Sequence, residues 1–243
     1  MAVTPIPPQA VPEPDPGHDP DTMSQLLDGV VQFQRDVFPD QRDGFARLAQ
    51  AQTPHTLFIA CADSRVVPEL ITQSEPGELF VCRNIGNIVP AYGEMLGGVS
   101  AVVEYAVVAL GVDHIVVCGH SGCGAMKALA HPEDKALDAM PTVTSWLRNA
   151  AAARSVVCTL HPHLQGEAIV EALVEQNVLT QLGHLRTHPS VVARLARGDL
   201  TLHGWIYDIG SGQVEIIDEL TRQTVPVSAA ASQLHTSRAN RHT

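Results

Sequence analysis

Three short apolar runs, separated by segments with helical patterning, constrain the fold of this chain most strongly. The runs cover residues 56–60, 79–82 and 115–118, and each predicts a buried strand. Small and apolar residues between the second and third runs predict a helix over residues 99–110, ended by Gly111. Strands that alternate with helices predict βαβ units, and therefore a parallel sheet with right-handed crossovers.

The rest of the chain completes this α/β pattern. Residues 165–185 predict an amphipathic helix, and residues 201–208 and 214–218 predict a hairpin around two glycines. Residues 23–51 predict an N-terminal helical arm, divided near Pro39 and Gly44 into two helices. The expected fold is a central, mostly parallel β-sheet of about four parallel strands plus an antiparallel edge strand, flanked by helices.

The domain organisation follows from where this pattern begins and ends. Residues 1–22 are rich in proline and aspartate, which predicts a disordered N-terminal arm. Residues 23–225 predict one α/β domain, and residues 226–243 are polar and unpatterned, which predicts a mobile tail.

Composition narrows the class of protein further. A formal net charge of −11 argues against nucleic-acid or membrane-surface partners, and the chain has no apolar run long enough to span a membrane. The N-terminal segment lacks the basic and apolar regions of a secretory signal. Five cysteines are an odd, low count that favours free thiols or metal ligands over disulfides, so a cytoplasmic location is predicted.

Metal-binding residue types follow two of the predicted strands. Cys61 and Asp63 come directly after the first run, and His120 and Cys123 come directly after the third. Because the carboxyl ends of parallel strands share one edge of the sheet, these side chains are expected to converge. Thiolate and imidazole are the ligands that zinc prefers, and two thiolates neutralise Zn²⁺. A catalytic zinc site is therefore predicted, with Cys61, His120 and Cys123 as three ligands.

The role of Asp63 is open at this point. It can complete the zinc site as a fourth ligand, or it can pair with Arg65, two residues later, and leave that position for water. A plain turn salt bridge between Asp63 and Arg65 is also compatible with the spacing.

The two motifs together resemble the signature of the β-class carbonic anhydrases, with Cys61-x-Asp63-Ser64-Arg65 followed by His120-x-x-Cys123. Further segments resemble the family in the expected order: Glu75-Pro-Gly-Glu-Leu-Phe80, Arg83-Asn84-Ile-Gly, Glu104-Tyr105-Ala106 and Gly204-Trp-Ile-Tyr-Asp208. The likeness extends from about Gln32 to Asp218.

This resemblance implies a zinc enzyme that interconverts CO₂ and bicarbonate. It implies that Cys61, His120 and Cys123 hold one Zn²⁺ per subunit, and that Asp63 and Arg65 form the catalytic dyad. Asp63 would orient a zinc-bound hydroxide for attack on CO₂, or occupy the fourth zinc position in an inactive form. The family's unit is a homodimer or an assembly of dimers such as a homotetramer, with active sites at the subunit interface.

The resemblance also assigns substrate-pocket positions. Gln52 matches an amide that hydrogen-bonds substrate in the plant-like subgroup. Phe80, Ile85 and Tyr105 match apolar wall positions, and Gly122 stands beside the metal, where a side chain would crowd the substrate.

Two subgroups of the family differ in regulation. Arg83 and Tyr207 match residues of the bicarbonate-gated type, but Phe58 stands where that type has tryptophan. With Gln52, this difference favours the open, plant-like type. Two other functions stay open: a hydrolase for a CO₂-like molecule such as CS₂ or COS, and a non-catalytic zinc-stabilised binding module.

Overall fold

The computed structural model describes residues 22–94 and 97–230. Its compact units divide at Gln52 and Thr53, so residues 22–52 and 53–230 are described separately. Residues 1–21 and 231–243, most of the predicted disordered arm and mobile tail, lie outside the described residues, and the domain bounds stay a prediction. Residues 227–230, at the start of the predicted tail, are helical.

The first unit is helical without the break expected at Pro39 or Gly44. Helix α1 (Thr22–Gln32) continues through a π-helical turn (Phe33–Val37) into α2 (Phe38–Leu48). The amide of Phe38 donates to the carbonyl of Phe33, the wider spacing of a π turn. Proline is tolerated near the start of a helical segment, where its missing N–H costs least. The irregularity therefore lies in the turn before Pro39, and the prediction of two separate helices is wrong.

The second unit is built on one six-stranded sheet, in the order β2-β1-β3-β4-β5-β6. The strands are β1 (Thr56–Cys61), β2 (Leu79–Asn84), β3 (His114–His120), β4 (Thr201–Tyr207), β5 (Val214–Ile217) and β6 (Thr224–Pro226). The first four are parallel to one another, and β5 and β6 add antiparallel partners at one edge. The predicted sheet is confirmed, with β6 as an additional strand too short to leave a pattern.

Helices connect and flank these strands. They are α3 (Pro68–Thr72), α4 (Gly98–Glu104), which continues as a π-helical turn (Tyr105–Leu110), α5 (Gly124–Ala130), α6 (Pro141–Leu147), α7 (Ala151–Leu160), α8 (Gly166–Leu185) and α9 (Pro189–Arg197). Short 3₁₀ turns occur at Ile85–Asn87, Lys135–Ala139 and Arg148–Ala150. Gly111 and Gly198 end their helices in left-handed conformations, as glycine does most easily. Within residues 22–94 and 97–230, no helix is long and apolar enough to cross a membrane.

Helix α8 packs closely on the middle of the sheet. A Cβ added at Gly119 of β3 would lie 2.9 Å from methyl groups of Val174 and Val178. One added at Gly204 of β4 would lie 2.9 Å from Val178. Glycines in neighbouring strands therefore let the helix approach the sheet, and its buried residues Leu182 and Leu185 join the sheet's main core.

Candidate metal centre and active site

Three predicted ligands meet at the carboxyl edge of the sheet. Cys61 is the last residue of β1, His120 is the last residue of β3, and Cys123 immediately precedes α5. Because β1 and β3 are parallel neighbours, both strands deliver their ends to one place. The ligand atoms of the three residues lie within 4.8 Å of one another, and all three side chains are buried. This spacing is compatible with coordination of a single ion.

His120 is oriented for metal binding. Its Nδ1 lies 3.0 Å from the carbonyl oxygen of Ser121, which assigns the ring proton to that nitrogen. The other nitrogen, Nε2, then carries a lone pair. It is buried and has no hydrogen-bond partner among the described residues. A buried acceptor without a partner is costly, and a metal ion would satisfy it.

The two sulfur atoms also favour a cation. The pKa of the Cys61 thiol is lowered, first by the hydrogen bond it shares with Cys123, and also by His120 and the Gly86 amide. The pKa of Cys123 is raised, first by sharing that proton with Cys61 and then by burial. One thiolate therefore forms readily, whereas a second is opposed by the first. A divalent cation removes that opposition, so the Cys-His-Cys set fits zinc.

Asp63 is paired with Arg65. Its Oδ1 accepts hydrogen bonds from Arg65 Nε at 2.9 Å and from the Arg65 amide at 3.0 Å, and Oδ2 accepts from the guanidinium at 2.7 Å. The Arg65 guanidinium holds the pKa of the Asp63 carboxyl well below its usual range. Oδ2 also lies 3.9 Å from His120 Nε2. The carboxylate therefore stands next to the ligand cluster while both oxygens are held by arginine.

Arg83 and Tyr207 lie on either side of these strands. Arg83 donates from Nε to the carbonyl of Cys61 at 3.1 Å and from its guanidinium to the carbonyl of Asp63 at 2.6 Å. Tyr207 is the register partner of His120, and its carbonyl accepts from the Ser121 amide. Arg83 thus braces the backbone on both sides of Ala62.

The predicted pocket residues have mixed positions. The rings of Phe80 and Tyr105 lie 5.9 Å apart, and Tyr105 and Ile85 are substantially exposed. Gly122 has a φ of +63°, and an added Cβ would meet nothing within 4 Å among the described residues, so its glycine requirement comes from the backbone. Gln52 is an exposed residue that belongs to the other unit.

Gly86 forms a further part of the site to which the sequence assigned no role. The amide of Gly86 donates to Cys61 Sγ at 3.4 Å. Gly86 has a φ of +75°, and a Cβ there would lie 2.8 Å from Cβ of Ala125. Its place in the Arg83-Asn84-Ile-Gly segment was the available indication, because glycine after a strand often marks a special backbone conformation.

A family model described as carbonic anhydrase matches residues 56–214. The carbonic anhydrase of Pseudomonas aeruginosa is 54% identical over 206 residues, covering 85% of this chain and 92% of that protein. The structure of the β-carbonic anhydrase CcaA superimposes with a TM-score of 0.82 at 48% identity, covering 84% of this chain and 98% of the other. The chain belongs to the β-class carbonic anhydrases. A tetrameric β-carbonic anhydrase from Sordaria macrospora is 31% identical, with a TM-score of 0.64 and coverage of 80% and 92%.

Family membership supports the general activity that the sequence predicted, zinc-dependent hydration of CO₂. β-Carbonic anhydrases are zinc enzymes that hydrate CO₂, and the Cys-His-Cys group of this chain suits that metal. The family assignment and the fold are confirmed.

Proposed function

We propose that this carbonic anhydrase holds one zinc ion per subunit through Cys61, His120 and Cys123 and hydrates CO₂ with the help of an Asp63–Arg65 dyad. The observation that carries the proposal is the position of the Asp63 carboxylate, which is fixed by Arg65 while Oδ2 lies 3.9 Å from His120 Nε2. Zinc held in such a site would act as a Lewis acid and lower the pKa of a bound water to about 7.

Asp63 orients the nucleophile in this proposal. Because Arg65 keeps the carboxylate ionised, Oδ2 accepts a hydrogen bond from the attacking oxygen and turns a lone pair of that oxygen toward carbon. A carboxyl with so low a pKa is a poor proton acceptor near neutral pH. Asp63 therefore acts by orientation, and Arg65 prevents it from turning to the metal as a fourth ligand.

Replacing Arg65 tests the dyad. In Arg65→Ala, zinc content should stay near one per subunit while kcat/KM for CO₂ hydration falls about 10²–10³-fold, the usual cost of losing one preorganised electrostatic group. Stopped-flow hydration and metal analysis on the same sample measure both. Arg35→Ala is a suitable control because Arg35 also pairs with a neighbouring aspartate but lies in the first unit. Wild-type activity in Arg65→Ala would contradict the proposal.

We also propose that Phe80, Ile85 and Tyr105 line the apolar side of the substrate pocket, with Gln52 as an amide donor. The contact between the Phe80 and Tyr105 rings supports the wall. In Tyr105→Ser, the KM for CO₂ should rise more than kcat falls. An unchanged KM would contradict the assignment.

We further propose that this enzyme is of the open type, which bicarbonate does not gate. Two nitrogen atoms of Arg83 already donate to the carbonyls of Cys61 and Asp63, so an anion would have to compete with these bonds. Phe58 is buried and contacts Trp205 edge-on. Activity should fall gradually, by product inhibition, as bicarbonate is added. Cooperative loss of activity would instead assign a regulatory bicarbonate site to Arg83 and Tyr207.

A homodimer or homotetramer is the proposed assembly, with the active site at a subunit interface. The described part of the first unit has an exposed apolar stripe on α1, formed by Met23, Leu26, Leu27, Val30 and Val31. Such a surface marks an interaction site, and the Sordaria relative is tetrameric. In Leu27→Glu the sedimenting mass should decrease toward the monomer. A monomeric wild-type protein with full activity would contradict this assembly.

A further inference from the structure

The loop of residues 85–92 is held by side chains that come from far along the chain. Its backbone groups bond to a set of partners on α6, on α8 and just beyond α8: Trp146, Asn177, Gln181, His184, Thr187 and His188. Trp146 Nε1 donates to the carbonyl of Ile85 at 2.8 Å, directly before Gly86. Residues 86–90 of this loop are buried, so their backbone groups need partners inside the protein, and these side chains supply several of them.

Two of these partners form a buried amide pair, Asn177 and Gln181, one turn apart on α8. Gln181 Nε2 donates to Asn177 Oδ1 at 2.8 Å, so the Asn177 amide group must present its own NH₂ to the loop. Asn177 Nδ2 donates to the carbonyl of Gly86 at 3.0 Å, and Gln181 Oε1 accepts from the Val89 amide at 2.9 Å. Neither side chain is more than 1% exposed. Reversing either amide would leave buried groups unpaired, which fixes their orientation.

Gly86 connects this amide pair to the metal centre. Its carbonyl is held by Asn177, and its amide donates to Cys61 Sγ at 3.4 Å. Its left-handed backbone and close approach to Ala125 leave little freedom for another arrangement. An N–H bond to sulfur favours the thiolate and draws charge from it, so the position of Gly86 sets how strongly Cys61 donates to a metal.

We propose that Asn177 and Gln181 are positioning residues of the metal centre, which hold the Gly86 amide on Cys61 Sγ through the backbone of the loop. The inference rests on the proposed role of Cys61 as a zinc ligand. In this role the two amides affect how tightly the sulfur binds the metal and how much charge the sulfur donates. Neither amide contacts substrate.

Near-isosteric apolar substitutions test the pair. Asn177→Leu and Gln181→Met remove the hydrogen bonds while keeping the number and arrangement of side-chain heavy atoms close to those of the amides. Gln176→Met is the matched control, since Gln176 is a buried amide on the same helix whose partners are Thr180 and Arg222, away from the loop. Zinc affinity is measured by competition with a chelator, and the sulfur-to-cobalt charge-transfer band is recorded after replacement of zinc by Co²⁺.

Both test variants should bind zinc about 10- to 100-fold more weakly than wild type and shift the charge-transfer band, as expected when an outer-shell partner is lost. The control should stay within about threefold of wild type, below the range of an outer-shell loss. Affinities and spectra equal to the control in both variants would overturn the inference. If the Cys61→Ser variant keeps the zinc affinity and cobalt spectrum of wild type, the proposed metal site itself is overturned.

A measurement on wild type keeps the test independent of how the variants fold. In protein loaded with ¹¹³Cd, an N–H···S bond to a ligating sulfur transmits scalar coupling between the metal and the amide proton. Coupling to the Gly86 amide is expected, and it should disappear in Asn177→Leu or Gln181→Met, whichever folds. Absence of the coupling in wild type would overturn the inference.

Discussion

Strand β3 carries a histidine at each end, and the two have opposite surroundings. At the carboxyl end, His120 is fully buried beside two cysteines, with Nε2 unpartnered among the described residues. At the amino end, His114 is exposed, and its Nδ1 lies 2.6 Å from Thr201 Oγ1 and 3.4 Å from Nε2 of His203. The same residue type on the same strand therefore stands in two different environments.

The difference shows which surroundings suit a histidine to bind a metal. The ring nitrogens at the amino end already exchange hydrogen bonds with Thr201 and with each other, and solvent reaches the group. At the carboxyl end, a backbone carbonyl fixes one ring nitrogen, and burial denies the other any water. Adjacent thiols then supply the remaining ligands. An unsatisfied buried nitrogen beside two sulfurs distinguishes the site, whereas histidine content alone does not.

Replacing His120 and His114 in separate variants should give the largest difference in zinc content and activity between the two ends of β3. His120→Ala should lose zinc and reduce CO₂ hydration to the background rate, because two thiols alone leave the metal without a third ligand. His114→Ala should keep zinc content and activity near wild type. Metal analysis and stopped-flow hydration compare the two. Zinc loss from both variants, or from neither, would break the distinction between the two ends.

Gly119, next to His120 near the carboxyl end of β3, should give an intermediate effect on stability. In Gly119→Ala, the new methyl group would meet Val174 and Val178 at 2.9 Å and push α8 from the sheet. Such overpacking costs about 1–3 kcal/mol of unfolding free energy. Urea denaturation measures it. Gly124→Ala is a control, because an added Cβ at that helical position meets nothing within 4 Å among the described residues. Equal stability of the two variants would refute the close approach.

The amino end of β3 should show the smallest effect, which is a change in how the stability of the protein depends on pH. The pKa of His203 is lowered, first by burial and then by the nearby His114, with Glu219 acting in the opposite direction. The unfolded chain therefore takes up the proton first as pH falls below about 6.5, and stability decreases until the folded-state pKa is passed. His203→Gln should lose part of this dependence, because the group whose pKa is lowered by folding is then absent.

Denaturation at pH 7.5 and pH 5.5 checks this last expectation. The stability difference between the two pH values should be smaller in His203→Gln than in wild type. An unchanged difference would mean that the proton is accommodated equally well in the folded and unfolded chains.

Much of the fold was readable in sequence because its strands are short, apolar and buried. The runs before Cys61 and His120 predicted strands of one parallel sheet. The structure makes these strands neighbours and extends both to include the two residues themselves. The prediction failed where Pro39 was taken as a helix break. The helix continues past it, because the irregular turn lies before Pro39 and is π-helical. The prediction also omitted β6, whose three residues pair only because β5 lies beside them.

The sequence by itself determined which residue types stand at the ends of β1 and β3, because an apolar strand run and the ligand residues that follow it are both local patterns. Only the tertiary structure decided that Asp63 pairs with Arg65, since the same spacing also allows Asp63 to serve as a fourth metal ligand. The contact of Asn177 with Gly86 spans 91 residues of sequence. Side-chain direction and long-range hydrogen bonding depend on packed neighbours from distant segments, and no local pattern specifies them.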